Sequence, residues 1–137
     1  MPKKGARKRD HVVPLSRQAV AALDAVPVEG DYIFPGGNEG EGLSNAAMSE
    51  LLKGMGYSPD VATVHGFRST FKDWAADLTT YPNEMSEMAM AHTVDDKVEA
   101  AYRRSNMREK RRRMMTDWAA YCYGKAVRKN KLPKSAK

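Results

Sequence analysis

Apolar and polar positions along the chain follow spacings that predict short helices and little else. His11-Val12-Val13-Pro14-Leu15 reads as a short strand that Pro14 closes. Ser16 then caps a first helix from Arg17 to Leu23, stopped by Pro27. Tyr32-Ile33-Phe34-Pro35 is a short apolar piece ahead of a glycine-rich loop at residues 36–42. Ser44 is the expected cap of a second helix through Met48, Leu51 and Leu52, ended by Gly54 or Gly56. A third helix starts at His65, with Val64, Phe67, Phe71, Trp74, Ala75 and Leu78 on one apolar stripe. A short helix opens at Pro82 and turns Met85, Met88 and Ala89 inward. The last helix covers about 107–123, with Met107, Met114, Met115, Trp118, Ala119 and Cys122 on its packed side. The predicted fold class is mostly α with a small β element. Residues 1–124 form one domain and residues 125–137 a basic, disordered tail.

Composition narrows the class. A chain of 137 residues holds one small domain. With 42% hydrophobic and 29% charged residues it is neither an acidic disordered tail nor a fibre. No apolar run reaches the ~18–20 residues of a membrane helix, and the opening Met-Pro-Lys-Lys-Gly lacks the apolar core of a signal peptide. Cys122, a single cysteine, has no internal disulfide partner, which points to the cytoplasm. Without CxxC or HExxH spacing, no structural metal is expected. The loop at 36–42 is no phosphate cradle: it lacks a Gly-Lys-Ser/Thr ending and carries Glu39 and Glu41.

Charge is unevenly spread. Residues 1–9 hold Lys3, Lys4, Arg7, Lys8 and Arg9 and no acid. Residues 10–102 hold five bases against fifteen acids, and residues 103–137 thirteen bases against Glu109 and Asp117. Two basic ends flank an acidic middle, the footprint of a polyanion binder or of a solubilising tail. Arg108, Lys110, Arg111, Arg112 and Arg113 crowd the start of the last helix, where cations oppose the helix dipole and an anion offsets them.

Three polar positions interrupt the apolar scaffold. In His65-Gly66-Phe67-Arg68, the histidine and arginine sit at i and i+3 and share a helix face. Histidine moves a proton near neutral pH, and arginine offers a fork for two phosphate oxygens. Alone, this spacing also fits a structural pair. His92 ends Ala89-Met90-Ala91-His92, where a histidine also serves to cap the last carbonyls. Tyr102, followed by Arg103 and Arg104, is either a half-buried packing residue or a phenol positioned as a nucleophile.

Taken in order, His65, Arg68, His92 and Tyr102 resemble the catalytic domain of the tyrosine recombinases, the phage integrase family, and most of all integrases of temperate and satellite phages and genomic islands. The carrying segments are Val64-His65-Gly66-Phe67-Arg68-Ser69-Thr70-Phe71, Met90-Ala91-His92 and Lys97-Val98-Glu99-Ala100-Ala101-Tyr102-Arg103-Arg104. The resemblance extends over about residues 3–124. It implies a partial DNA breaking-rejoining fold and site-specific recombination of double-stranded DNA without metal or nucleotide cofactor. Tyr102 is implied as the nucleophile that forms a 3′-phosphotyrosyl link and frees a 5′-hydroxyl. Arg68 is implied to clamp the phosphate oxygens, with His65 and His92 assisting and Lys4 protonating the leaving oxygen; Lys3 and Lys8 are alternatives for that lysine. Lys3, Lys8, Arg9, Arg103, Arg104, Arg111 and Arg112 are the expected DNA contacts. The resemblance also implies a bacterial or phage-encoded, nucleoid-associated protein and a homo-tetramer on DNA. Family members carry a further arginine upstream of the lysine hairpin, together with an upstream DNA-binding domain, and these 137 residues match neither. Removing such an anion-stabilising donor costs on the order of 3–4 kcal/mol, a rate loss of hundreds or more. The isolated polypeptide is therefore expected to be a weak or inactive recombinase, or a DNA-binding remnant, with apolar surface free to drive oligomerisation.

Overall fold

A computed structural model describes residues 11–92, 97 and 107–127. Among the described residues, helices run over α1 (Arg17–Asp24), α2 (Ala47–Gly54), α3 (Gly66–Leu78), α4 (Asn83–Ala89) and α5 (Met107–Val127). The β content of the described residues is two isolated antiparallel bridges, Glu29 with Tyr32 and Pro35 with Gly42. The fold is mostly α with a small β element.

Local chemistry explains most helix ends. Ser16 caps α1 as expected: its Oγ accepts the Ala19 N–H at 3.1 Å, which satisfies one of the donors a helix start leaves open. Ser44 does not cap α2. That helix begins at Ala47 with Ala46 before it and no side-chain cap, while Ser44 only accepts the Ala47 N–H through its backbone carbonyl. The expected strand at 11–15 does not form among the described residues. A strand exists only by pairing, and here the Val12 carbonyl accepts instead from the Arg111 guanidinium on α5. The glycine-rich loop closes on itself. Gly36 N–H donates to the Glu41 carbonyl at 2.8 Å, and the Asn38 amide donates to the Glu41 carboxylate at 2.9 Å. A Cβ at Gly36 would sit 2.3 Å from the Gly42 carbonyl oxygen, so the close approach of the two strands of the loop requires glycine there.

Two helices end in the same way. After α2, Gly56 N–H donates to the Lys53 carbonyl and Tyr57 N–H to the Leu52 carbonyl, with Gly56 at φ +87°. After α4, Ala91 N–H donates to the Met88 carbonyl and His92 N–H to the Glu87 carbonyl, with Ala91 at φ +57°. Both are Schellman turns, which place one residue in the left-handed region. The first uses glycine; the second carries an alanine and so stores strain directly before His92.

The core joins α3, α4 and α5. Phe71, Trp74 and Ala75 of α3 meet Met85 of α4, Met90 just after it, and Met107 and Met114 of α5. Trp74 sits in an aromatic cluster, its ring 5.7 Å from Phe71, 5.1 Å from Trp118, 6.2 Å from Tyr121 and 6.5 Å from Tyr81. The α3 stripe is therefore half right. Burial is confined to the middle of the helix, and Phe67 and Leu78 are 55% and 58% exposed. On α5, Met107, Met114 and Ala119 are buried as read, but Cys122 is exposed and Tyr121 continues the packed side instead. α5 runs through Val127, so the expected boundary at 124/125 falls inside a helix; residues 128–137 lie outside the described residues. α1 packs on α5, yet neither α1 nor α2 buries any of its own residues.

Candidate functional site

His65 occupies the N-cap position of α3, and Arg68 lies one turn in, so the predicted helix start places both on one face. Thr63 secures this start: its Oγ1 accepts the Gly66 N–H at 2.9 Å. Residues 90–92 come back to the same place through the left-handed turn after α4. The result is a cleft of about 210 Å³ lined by His65, Arg68, Ser69, Lys72, Asp73, Glu87, Met90 and His92. His65, Arg68 and His92 are all exposed. Three residues that the sequence singled out from two separate segments thus share one open site.

Each has a distinct environment. Arg68 Nη2 donates to the Met90 carbonyl at 2.6 Å. One bond engages one of the five N–H donors of a guanidinium, and Arg68 has no carboxylate partner among the described residues. The His65 side chain makes no hydrogen bond among the described residues. His92 is held twice by Glu87, its backbone N–H on the Glu87 carbonyl at 2.9 Å and its Nδ1 against the Glu87 carboxylate.

Lys72 and Glu87 escaped the sequence reading. Lys72 Nζ donates to Asn83 Oδ1 at 2.5 Å, to Ser86 Oγ at 2.9 Å and to Glu87 Oε1. The other carboxylate oxygen, Oε2, faces His92. The Lys72 and Glu87 side chains are only 26% and 25% exposed. The hydrogen bond from Lys72, and next that from His92, holds the Glu87 carboxyl below its usual range, so it is a carboxylate at neutral pH. One signal was available: Lys72 follows Arg68 at i+4 and so points to the same side of α3. The five-residue step from Glu87 to His92 crosses a helix end and has no fixed meaning in sequence.

The remaining expected site residues divide into two groups. Tyr102, Lys4, Lys3, Lys8, Arg9, Arg103 and Arg104 lie outside the described residues. Arg111 and Arg112 lie on α5. Arg111 donates to the Val12 carbonyl, and burial followed by the nearby Arg108 lowers its affinity for the proton. Arg112 Nε pairs with Glu109 at 3.3 Å in an exposed contact of little energetic weight. Tyr81 shows a phenol unsuited to attack. It donates to Asp117 at 2.5 Å, and burial, reinforced by that carboxylate, pushes its pKa up to about 12. His11, at the start of the expected strand, donates from Nε2 to the Ala89 carbonyl at 3.3 Å. Among the described residues, no helix is long and apolar enough to cross a membrane.

Comparison with known proteins gives a consistent picture. The chain is 36% identical to the prophage integrase IntZ of Escherichia coli over 115 residues, which is 82% of this chain and 28% of that protein. It is 32% identical to the integrase of enterobacteria phage P4 over 120 residues, 83% of this chain and 27% of that one. The prophage integrase IntA of Escherichia coli matches at 36% over 115 residues, 81% of this chain and 27% of the relative. The chain thus spans little more than a quarter of the length of these relatives. No family model and no solved structure matches.

Proposed function

From the premise that this chain is a relative of the phage integrases, aligned with about a quarter of their length, we propose that it carries part of the phosphate-activating site of a tyrosine-type site-specific recombinase acting on double-stranded DNA. The observation that carries this reading is the cleft shared by His65, Arg68 and His92. The Tyr102 phenol passes its proton to an imidazole of the cleft and attacks a backbone phosphorus, the bond to the 5′ oxygen breaks, and a 3′-phosphotyrosyl link forms. The leaving 5′ oxygen takes its proton from a lysine, with Lys4 as first choice. A 5′-hydroxyl of the partner duplex reverses the step, so the phosphoester energy is kept and no nucleotide is consumed. Charge gathering on the non-bridging oxygens meets the free donors of Arg68 and the two imidazoles, donors fixed before the reaction starts. The basic ends, including Arg103, Arg104, Arg111 and Arg112, supply contacts to neighbouring phosphates. Catalytic tetramers on DNA belong to the same proposal.

The isolated 137-residue polypeptide is expected to be slow, because the further family arginine has no counterpart in it. A nicked suicide substrate tests the reading. Wild type yields a covalent protein–DNA adduct that Tyr102→Phe abolishes and Arg68→Ala reduces by about 10²-fold or more. DNA binding without any adduct, even in an integrase carrying this segment in its full length, would make the segment a non-catalytic remnant. Affinity that does not fall with rising salt would remove DNA as the partner.

A further inference from the structure

Lys72 and Glu87 have no part in the chemistry described so far, and their geometry determines the state of one imidazole that does. A carboxylate has no proton to give, so the contact of Glu87 Oε2 with His92 Nδ1 makes Nδ1 the donor. Oε1 is fixed from the other side by Lys72, which Asn83 and Ser86 hold in place. The Glu87 carboxylate therefore has no freedom to turn away. His92 Nε2 has no partner among the described residues and lies on a ring that lines the cleft with Arg68 and His65. Among the described residues, Arg68, Lys72 and Asp73 are the other charged groups on that cleft, and Glu87 is the hydrogen-bond partner of the His92 ring.

We propose that Glu87, locked by Lys72, is a positioning residue that keeps His92 in its Nδ1–H form and reserves Nε2 for the substrate. A free histidine side chain in water favours the opposite tautomer, with the proton on Nε2. The protein thus imposes a choice: Nε2 is a lone-pair acceptor when His92 is neutral and an N–H donor when it is charged, and Nδ1 is never the working nitrogen. The left-handed Ala91 serves the same end, because it brings His92 back over Glu87, whose carbonyl takes the His92 N–H. The value of this arrangement for DNA cleavage rests on the recombinase reading above; the tautomer itself does not.

Long-range ¹H–¹⁵N spectra of the isolated chain, recorded without DNA at alkaline pH, test the proposal. Wild type is expected to show a protonated Nδ1 and a bare Nε2. Glu87→Gln is nearly isosteric. Lys72 keeps hold of the amide oxygen, so the amide NH₂ faces His92 and donates to Nδ1, and the two nitrogen signatures exchange. The double variant Lys72→Met, Glu87→Gln frees the amide to turn over and gives a mixture of both forms. A wild-type His92 protonated on Nε2, or a Glu87→Gln spectrum with Nδ1 still protonated, overturns the proposal. An exchanged tautomer in Glu87→Gln alongside unchanged adduct yield in a full-length integrase would uphold the imposed tautomer while removing its catalytic role, and so overturn the positioning claim.

Discussion

Ala91 and Gly56 occupy equivalent positions in two Schellman turns, and the pair isolates what a single Cβ costs. A non-glycine residue in the left-handed region loses about 1–2 kcal/mol, while glycine adds about 0.4–1 kcal/mol of unfolded-chain entropy. Ala91→Gly is therefore expected to stabilise the chain by a few tenths to about 1 kcal/mol, and Gly56→Ala to destabilise it by a similar amount. Urea unfolding of the two variants gives the comparison; a loss of stability in Ala91→Gly would mean that the turn is not strained. Glu87 gives a second residue-scale prediction. Its folded-state affinity for the proton lies below the ordinary carboxyl value of 4.5, so its stabilising contribution is complete above that pH and is lost on acidification below it. Thermal melts should show wild type more stable than Glu87→Gln at pH 6, with the two converging towards pH 3. At this scale the sequence was informative where a side chain acts on its immediate neighbours. Ser16, His65 and Arg68 were readable because a cap and an i, i+3 pair are local geometry. Lys72 with Glu87 was not, because their meeting depends on how α4 lies across α3.

Helices differ in how much of the pattern they honour. On α5, the methionines at 107 and 114 are buried as their spacing requires, and Met114 is 0% exposed. Met114→Ala is expected to cost about 2–5 kcal/mol, read as a drop in the urea midpoint. The same substitution at exposed Met48 on α2 should cost well under 1 kcal/mol. The α3 stripe shows why periodicity overreaches. It marks Phe67 and Leu78 as equivalent to Phe71 and Trp74, although the helices packed on α3 reach only its middle. The apolar run at 12–15 misleads for a related reason: such a stretch resembles a strand whether or not another edge lies beside it. A spacing rule reports which way a side chain faces and is silent on what, if anything, meets it.

At the scale of the whole molecule, order is concentrated in the second half. Among the described residues, the buried hydrophobic core lies between Phe71 and Ala119, whereas α1 and α2 bury none of their residues. Amide protons of α1 and α2 are expected to exchange far faster than those of α3 and α5, approaching the rates of local fraying. Uniform protection across all the helices would contradict this division. The overall class, a small helical protein with cationic ends, was legible from the spacing of apolar positions and the spread of charge, and the likeness to integrases from four spaced residues and the segments around them. The unequal packing of the two halves was not, since it depends on contacts between distant segments. One such contact couples the basic face to the start of the chain. Arg111 is 99 positions away from the Val12 carbonyl that its guanidinium grips. Any anion approaching from outside has to compete with that carbonyl for the same nitrogen, so engaging this arginine means unclasping the segment around Val12 from α5.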